Sequence, residues 1–212
     1  MSEDIYKENL DTWDQLAALY HEKFMHLTHY NASYDVFLKS LTKSDSQLLE
    51  LGCGPGNITH YLLKQQPSLH ILGTDISPSM IELAQKNNPN ADFKVLDCRD
   101  ILKLDKRYDG IIMGFCIPYV TPEDLRQLLA DCFQILHPEG VLYISFVAGE
   151  AAQSGYKTSN TGSRVYFHYY EKNVLNDLLV QSGFETALQM EVEYTPTEMH
   201  TIFITKKPSA YV

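Results

Sequence analysis

Positive charge is scarce in this chain. Its 212 residues carry 17 Lys and Arg against 27 Asp and Glu, a formal net charge of −10, so a polyanion is repelled on average rather than drawn in. The longest basic run is Lys206-Lys207, which is no patch. Nucleic acid and anionic membranes are therefore not expected partners. Long apolar runs are missing too: none approaches the ~18 residues that span a bilayer. Charged side chains recur from Glu3 to Lys23, without the apolar centre of a signal peptide, so a cytoplasmic location is expected. The four cysteines, Cys53, Cys98, Cys116 and Cys132, contain no C-x-x-C pair, which argues against a zinc site or a disulfide framework. His26 and His29 have no third ligand at a sensible spacing, and no metal is expected. Repeats and low-complexity stretches are absent. What is left, 44% apolar and 21% charged residues, is the composition of one globular domain with a sizeable core.

From about residue 46 onward, short apolar runs alternate with helix-like segments, the pattern of an α/β domain with a mostly parallel sheet. The runs are Gln47 to Leu51, His70 to Thr74, Asp92 to Leu96, Tyr108 to Met113 and Val141 to Val147, each of strand length and suited to burial on both faces. Ser77-Pro78 and Thr121-Pro122-Glu123-Asp124 place a capping hydroxyl before a first-turn proline, and the second helix is expected to run to His137. Residues 5–41 read as a helical cover, with Trp13, Leu16, Ala17, Tyr20 and Phe24 at helical spacing. Gly149 to Gly162 reads as a loop of the kind that serves as a lid. A helix over Glu171 to Ser182 and an antiparallel pair over Glu185 to Tyr194 and His200 to Lys206 close the chain.

The densest signal is Leu48-Leu49-Glu50-Leu51-Gly52-Cys53-Gly54-Pro55-Gly56-Asn57, a strand that runs straight into glycines and then a helix. Glycines at such a turn let the backbone approach a ligand and leave free amides at the helix start. A nucleotide-like cofactor is expected there. The spacing is G-x-G-x-G. Asn57 stands where the dinucleotide fingerprint has its last glycine, and a phosphate-binding G-x-x-x-x-G-K-S/T is absent. Asp75, 19 residues past Gly56, ends the second strand, where a carboxylate accepts from ribose hydroxyls. Asp97 ends the third.

These residues resemble the class I S-adenosylmethionine-dependent methyltransferases, in particular the small-molecule group. The resemblance is carried by Glu50 to Gly56, Leu72 to Ile76, Phe93 to Cys98, Tyr108 to Gly114 and Leu136 to Tyr143. It implies a Rossmann-like, seven-stranded, mostly parallel sheet with an antiparallel last strand, helices on both faces and an N-terminal helical cover. It also implies roles. Gly52, Cys53, Gly54 and Gly56 form the turn under the cofactor, and Glu50 orients that loop and the cofactor's amino group. Asp75 holds the ribose, Ile76 and Met80 flank the adenine, Asp97 accepts from its exocyclic amine, and the Cys98 amide meets a ring nitrogen. Gly114 and Phe115 approach the sulfonium, while Tyr20 and Tyr30 are further cofactor contacts. A cationic cofactor without phosphate suits a turn with Glu50 at its base.

Methyl transfer is an in-line displacement that converts S-adenosylmethionine to S-adenosylhomocysteine, and it needs a general base only if the acceptor must lose a proton. Candidates for acceptor contacts are Trp13, Cys116, Phe146, Arg164, Tyr166 and Tyr170, with Tyr119 and His168 as catalytic candidates. If residues 164–170 are extended, Arg164, Tyr166, His168 and Tyr170 share one face. The sequence Gly114-Phe115-Cys116-Ile117-Pro118-Tyr119 disfavours the branch that methylates amine nitrogens of DNA bases or glutamine. The expected layout is a single domain: a cover (1–43), a cofactor core (44–147), a lid and acceptor segment (148–170) and a C-terminal helix with a strand pair (171–212). The expected partner is a small molecule, the assembly a monomer or homodimer. A nicotinamide-dependent oxidoreductase and a non-catalytic S-adenosylmethionine-binding regulator are the alternatives.

Overall fold

The computed structural model describes residues 2–159 and 162–209. Its strands are β1 (Gln47–Leu51), β2 (His70–Asp75), β3 (Asp92–Val95), β4 (Tyr108–Gly114), β5 (Leu136–Phe146), β6 (Gly155–Thr158), β7 (Arg164–Phe167), β8 (Leu188–Thr195) and β9 (Glu198–Lys206). Seven of them form one sheet in the order β3-β2-β1-β4-β5-β9-β8. β1 to β5 pair in parallel, while β9 lies antiparallel to both β5 and β8. The order reverses between β1 and β4, and ligands of open α/β sheets bind beyond the carboxyl ends of the strands at such a reversal.

Alternation along the strands builds two cores. Leu49, Leu51, Ile111, Met113, Leu142 and Ile144 face α5 (Pro122–Ile135) and α6 (Lys172–Gln181). Leu48, Ile71, Ile112 and Tyr143 face α2 (Asn31–Ser40) and α3 (Asn57–Gln65) on the other side. Parallel strands need this double cover, because both of their faces are apolar. The two helix starts follow from their caps: Ser77 accepts from the Met80 amide at the head of α4 (Pro78–Asn87), and Thr121 accepts from the Asp124 amide at the head of α5.

The N-terminal helical cover is present, and two later segments differ from expectation. The N-terminal cover is two helices, α1 (Ser2–Phe24) and α2, separated by a turn in which the Leu27 amide donates to the Phe24 carbonyl. α5 stops at Ile135. Leu136 already pairs with Tyr108, and the ladder breaks at residues 137–140, where Glu139 takes φ +64° and donates its amide to the Lys207 carbonyl, before it resumes at Val141. The expected irregular loop 149–162 contains a 3-10 turn (Ala151–Gln153) and β6, which pairs with β7 as a separate two-stranded hairpin. Asn160 and Thr161 of that loop lie outside the described residues.

α1 clasps this hairpin through side chains. The Asn9 side chain donates to the Tyr166 carbonyl and accepts the Tyr166 amide, at 3.1 and 2.7 Å, and the Thr12 hydroxyl donates to the Arg164 carbonyl. One turn on, Asp14 accepts from the Ser77 hydroxyl at 2.6 Å and from the Ser79 amide at 2.9 Å, which fixes α1 across the start of α4.

Candidate cofactor and acceptor site

The turn from β1 to α3 has glycine at its left-handed positions: Gly52 and Gly54 have φ of +65° and +52°, a region that a residue with a Cβ adopts only at a cost in strain. Asp75 ties the turn to β2. Its carboxylate accepts the Gly54 amide at 2.9 Å and the Ser77 amide at 2.9 Å, and desolvation raises its pKa despite those bonds. Beneath the turn, Glu50 is only 1% exposed. One carboxyl oxygen accepts the Thr59 hydroxyl at 2.5 Å, and the other, Oε1, has no partner. Burial pushes this carboxyl up to about 8, against the hydrogen bonds from Thr59 that favour its ionised form.

Two cavities meet over this turn. The first is lined by Ile76, Met80, Leu96, Asp97 and Cys98 at the ends of β2 and β3, by Cys116, and by Tyr6, Asn9 and Leu10 of α1. The second is lined by Glu50, Cys53, Asn57 and Ile58 and reaches Phe24, Leu27, Tyr30, Tyr34, Val147, Phe167, Tyr194, Glu198 and His200. Trp13, Tyr20, Gly52, Gly54, Gly114, Phe115 and Tyr119 line both. Trp13 packs edge-on against Tyr20 and Tyr119, each at 5.5 Å. Desolvation raises the pKa of Tyr20 and of Tyr119, so both stay phenols. Phe115 holds φ +54° while its amide donates to the Ser145 carbonyl and hydroxyl, a strained aromatic residue of the kind found at ligand sites.

Of the residues singled out in the sequence, Glu50, Gly52, Cys53, Gly54, Asp75, Ile76, Met80, Asp97, Cys98, Gly114, Phe115, Cys116, Tyr119, Trp13, Tyr20 and Tyr30 line one or both cavities. Others do not. Gly56 packs against α4, where an added Cβ would lie 2.4 Å from Asn88 Nδ2; it caps α3 and lines neither cavity. Phe146, expected at the mouth, is fully buried against Phe203 because β9 pairs along β5 there. Tyr170 is a core residue whose hydroxyl donates to the Val120 carbonyl. Arg164 is exposed, paired with Glu8 and stacked on Tyr156. Tyr166 is held by Asn9 through its backbone and packs on Tyr156 and His168. His168 is buried between Tyr166 and Tyr170 with Nε2 unpartnered, and desolvation lowers its pKa. The reading of 164–170 as one extended face fails because β7 ends at Phe167.

Asp97 is on the wall but engaged. It caps the following 3-10 turn through the Arg99 amide and grips the Arg99 guanidinium at 2.6 to 3.0 Å. Burial opposes its ionisation, yet the Arg99 bonds outweigh burial and lower its pKa. Arg99 in turn lies over the Tyr6 ring at 3.7 Å. Sequence reasoning missed Tyr6, Asn9 and Leu10, which extend the Trp13 stripe by helical spacing, and it missed Tyr194, Glu198 and His200, whose approach to Tyr30 no local pattern encodes. Among the described residues, no group of three His, Cys, Asp or Glu is placed to hold a metal ion, and no helix is long and apolar enough to cross a membrane.

The seven-stranded sheet with its glycine turn at the strand reversal defines the Rossmann-like fold of class I methyltransferases. Residues 48–140 match the family described as methyltransferase domain, in agreement with the resemblance to S-adenosylmethionine-dependent methyltransferases read from the sequence. It is 32% identical over 148 residues to malonyl-(acyl-carrier protein) O-methyltransferase of Bacillus cereus, covering 68% of this chain and 51% of that protein. It is 29% identical over 203 residues to tRNA N(3)-cytidine methyltransferase METTL6 of Mus musculus, covering 84% and 71%. The chain spans about half the length of the malonyl-(acyl-carrier protein) O-methyltransferases that it matches. A solved DhpI–SAH complex has the same fold, with a TM-score of 0.76 over 100% of both chains at 16% identity.

Proposed function

We propose that the protein is an S-adenosylmethionine-dependent methyltransferase that methylates a small-molecule acceptor and releases S-adenosylhomocysteine. The observation that carries this reading is the unpartnered, buried Oε1 of Glu50 under a left-handed glycine turn. An ammonium group is the natural partner for such an oxygen, because a buried acceptor without a donor costs about 1 to 3 kcal/mol. Asp75, on the wall of the first cavity, retains acceptor capacity for ribose hydroxyls, and Ile76, Met80 and Leu96 offer an apolar slot for a flat base.

S-adenosylmethionine, when bound, supplies a methyl group made electrophilic by its sulfonium. The chain's own part is to hold, orient and dry the reacting centre. Trp13 and Tyr20 of α1, with Phe115 and Tyr119, ring the junction of the two cavities. Their apolar surfaces exclude water, which would otherwise compete, and positioning of this kind can supply several kcal/mol of barrier reduction.

A small acceptor is favoured by charge. Among the described residues, no Lys or Arg lines either cavity, and the chain carries −10 overall, whereas a tRNA acceptor would need cations along its phosphates. The reading therefore includes no nucleic-acid or membrane partner. It also includes the cytoplasm, whose reducing conditions suit the free thiols of Cys53, Cys98, Cys116 and Cys132, and a monomer or homodimer. Residues 1–43 and 148–170 act as cover over the 44–147 core. Titration calorimetry with S-adenosylmethionine and S-adenosylhomocysteine tests it: saturable binding of both is expected, and no binding would overturn the reading. Binding of reduced nicotinamide cofactor instead would point to the oxidoreductase alternative.

A further inference from the structure

The second cavity contains three polar side chains in series, and the first of them, Tyr30, expected from the sequence as a cofactor contact, has its hydroxyl engaged by His200. Tyr30, just ahead of α2, has its hydroxyl 2.6 Å from His200 Nδ1, and His200 Nε2 lies 3.1 Å from Glu198 Oε1. All three residues line the cavity. An ionised carboxylate only accepts, so with a neutral imidazole the hydrogen sits on Nε2, Nδ1 accepts, and the Tyr30 hydroxyl donates. The Tyr30 oxygen keeps a lone pair to accept from a third group. The Phe115 ring, at the junction of the two cavities, packs against both Tyr30 and His200, at 5.2 and 5.0 Å.

We propose that Tyr30 removes the proton from the methyl acceptor, with His200 and Glu198 as the positioning residues behind it, and that the acceptor carries an ionisable hydroxyl on a flat apolar frame. The proposal rests on the methyltransferase reading. The walls favour such a frame: Phe24, Tyr34, Phe115 and Tyr194 are aromatic, and among the described residues no Lys or Arg lines the cavity to neutralise an anionic acceptor. The acceptor's hydroxyl proton passes to the Tyr30 oxygen as the Tyr30 proton passes to His200 Nδ1. The acceptor oxygen's electron pair forms the bond to the methyl carbon, and the carbon–sulfur bond breaks with its pair returning to sulfur. Glu198 stabilises the imidazolium that results. Its side chain is 46% exposed, so the proton has a path to solvent. Burial, and then the neighbouring tyrosines and Glu198, keep the free Tyr30 protonated, which suits a relay and not a standing phenolate. The groups that face His200 are Tyr30 with its neighbour His29, Tyr194 from β8 stacked at 4.6 Å, Phe115 beyond β4, and Glu198 on its own strand.

The test uses 4-nitrophenol as probe and the full chain saturated with S-adenosylhomocysteine, at a pH just below the probe's own titration. Bound in the second cavity, the probe should show more of the yellow phenolate than it does free in the same buffer. Tyr30→Phe should lower the phenolate-to-phenol ratio by about tenfold, the worth of one charge-assisted hydrogen bond. Glu198→Gln should lower it in the same direction and Glu198→Asp should restore it in part, a pattern that lost packing would not give. S-adenosylhomocysteine affinity is measured by calorimetry on each variant so that every spectrum is compared at saturation, and for the two Glu198 variants, whose side chain stands behind His200, it should stay within about twofold of the parent. If the probe does not bind, or if its spectrum is the same in the parent and Tyr30→Phe, the relay is refuted while the methyltransferase reading stands. If the parent fails to bind S-adenosylhomocysteine, both fall.

Discussion

Replacing Glu50 by Gln separates two roles that one carboxyl plays with opposite sign. Burial raises this group from its ordinary 4.5 to about 8, and one unit is worth about 1.4 kcal/mol. Between those values the folded protein holds a proton that the unfolded chain has released. The stability this group contributes is therefore fully present below about pH 4.5 and is lost as the pH rises through about 8. Between pH 4 and pH 7 the loss amounts to roughly 3 kcal/mol. Gln cannot ionise, so urea unfolding across that range should show the variant gaining on the parent by about that amount as the pH rises. Near pH 4 the variant should be level or weaker, because one buried amide hydrogen bond goes unmade. Binding should move the other way. An ammonium at Oε1 favours the ionised carboxyl, so S-adenosylhomocysteine affinity in the parent should climb up to tenfold per pH unit towards about pH 8 and release a proton on binding, whereas the variant should bind weakly with little pH dependence. Calorimetry in buffers of different ionisation enthalpy reads that proton. An unchanged pH slope of stability, or full affinity in the variant, would refute the reasoning.

Asp75→Asn should weaken S-adenosylhomocysteine binding by about 1 to 3 kcal/mol, because an amide group cannot accept at every position where the carboxylate now meets the Gly54 and Ser77 amides; unchanged affinity by calorimetry would remove its assigned role. Gly56→Ala forces a side chain onto a residue at φ +79° and 2.4 Å from Asn88 Nδ2. It should cost about 1 to 3 kcal/mol in urea unfolding, while the cofactor affinity of the folded fraction is retained. Arg164→Ala, on an exposed pair with Glu8, should leave both the melting temperature and the KM for any acceptor unchanged, since exposed pairs contribute little; a raised KM would return Arg164 to the acceptor site.

The part of the candidate site around the glycine turn was legible because it is built locally. Gly52 and Gly54 act through backbone geometry that only their own φ angles demand, and Asp75 is 21 residues from the amide it accepts. The caps at Ser77 and Thr121 satisfy amides three residues away. The cover over the two cavities is assembled by bonds of long range, Asn9 to Tyr166 across 157 residues and Tyr30 to His200 across 170. The 164–170 segment shows the limit of local pattern. Its period-2 alternation holds only for the four residues of β7, and which face of a strand meets a cavity depends on what packs beside it. Phe167, sorted to the face opposite His168, is the residue that lines the second cavity. Asp97 was legible as an acid at a strand end, but its capture by Arg99 was not, although the two stand only two residues apart.

This division has a physical consequence for how such a protein specifies its chemistry. The floor of the site consists of parallel strands buried on both faces, with Leu48, Leu49 and Leu51 of β1 fully buried, and a change there propagates through close-packed neighbours. The cover is attached differently. α1 meets the hairpin through Asn9 and Thr12 bonded to backbone atoms of β7, and meets α4 through Asp14 bonded to Ser77 and Ser79. Bonds of that kind fix where the cover sits without requiring particular side chains at Phe24, Tyr30, Tyr194 or His200, which line the second cavity from the cover and the sheet edge. The fold can thus keep one floor while the residues that line the cavity above it change. That is why the glycine turn announces a methyltransferase and the acceptor has to be read from the cavity wall.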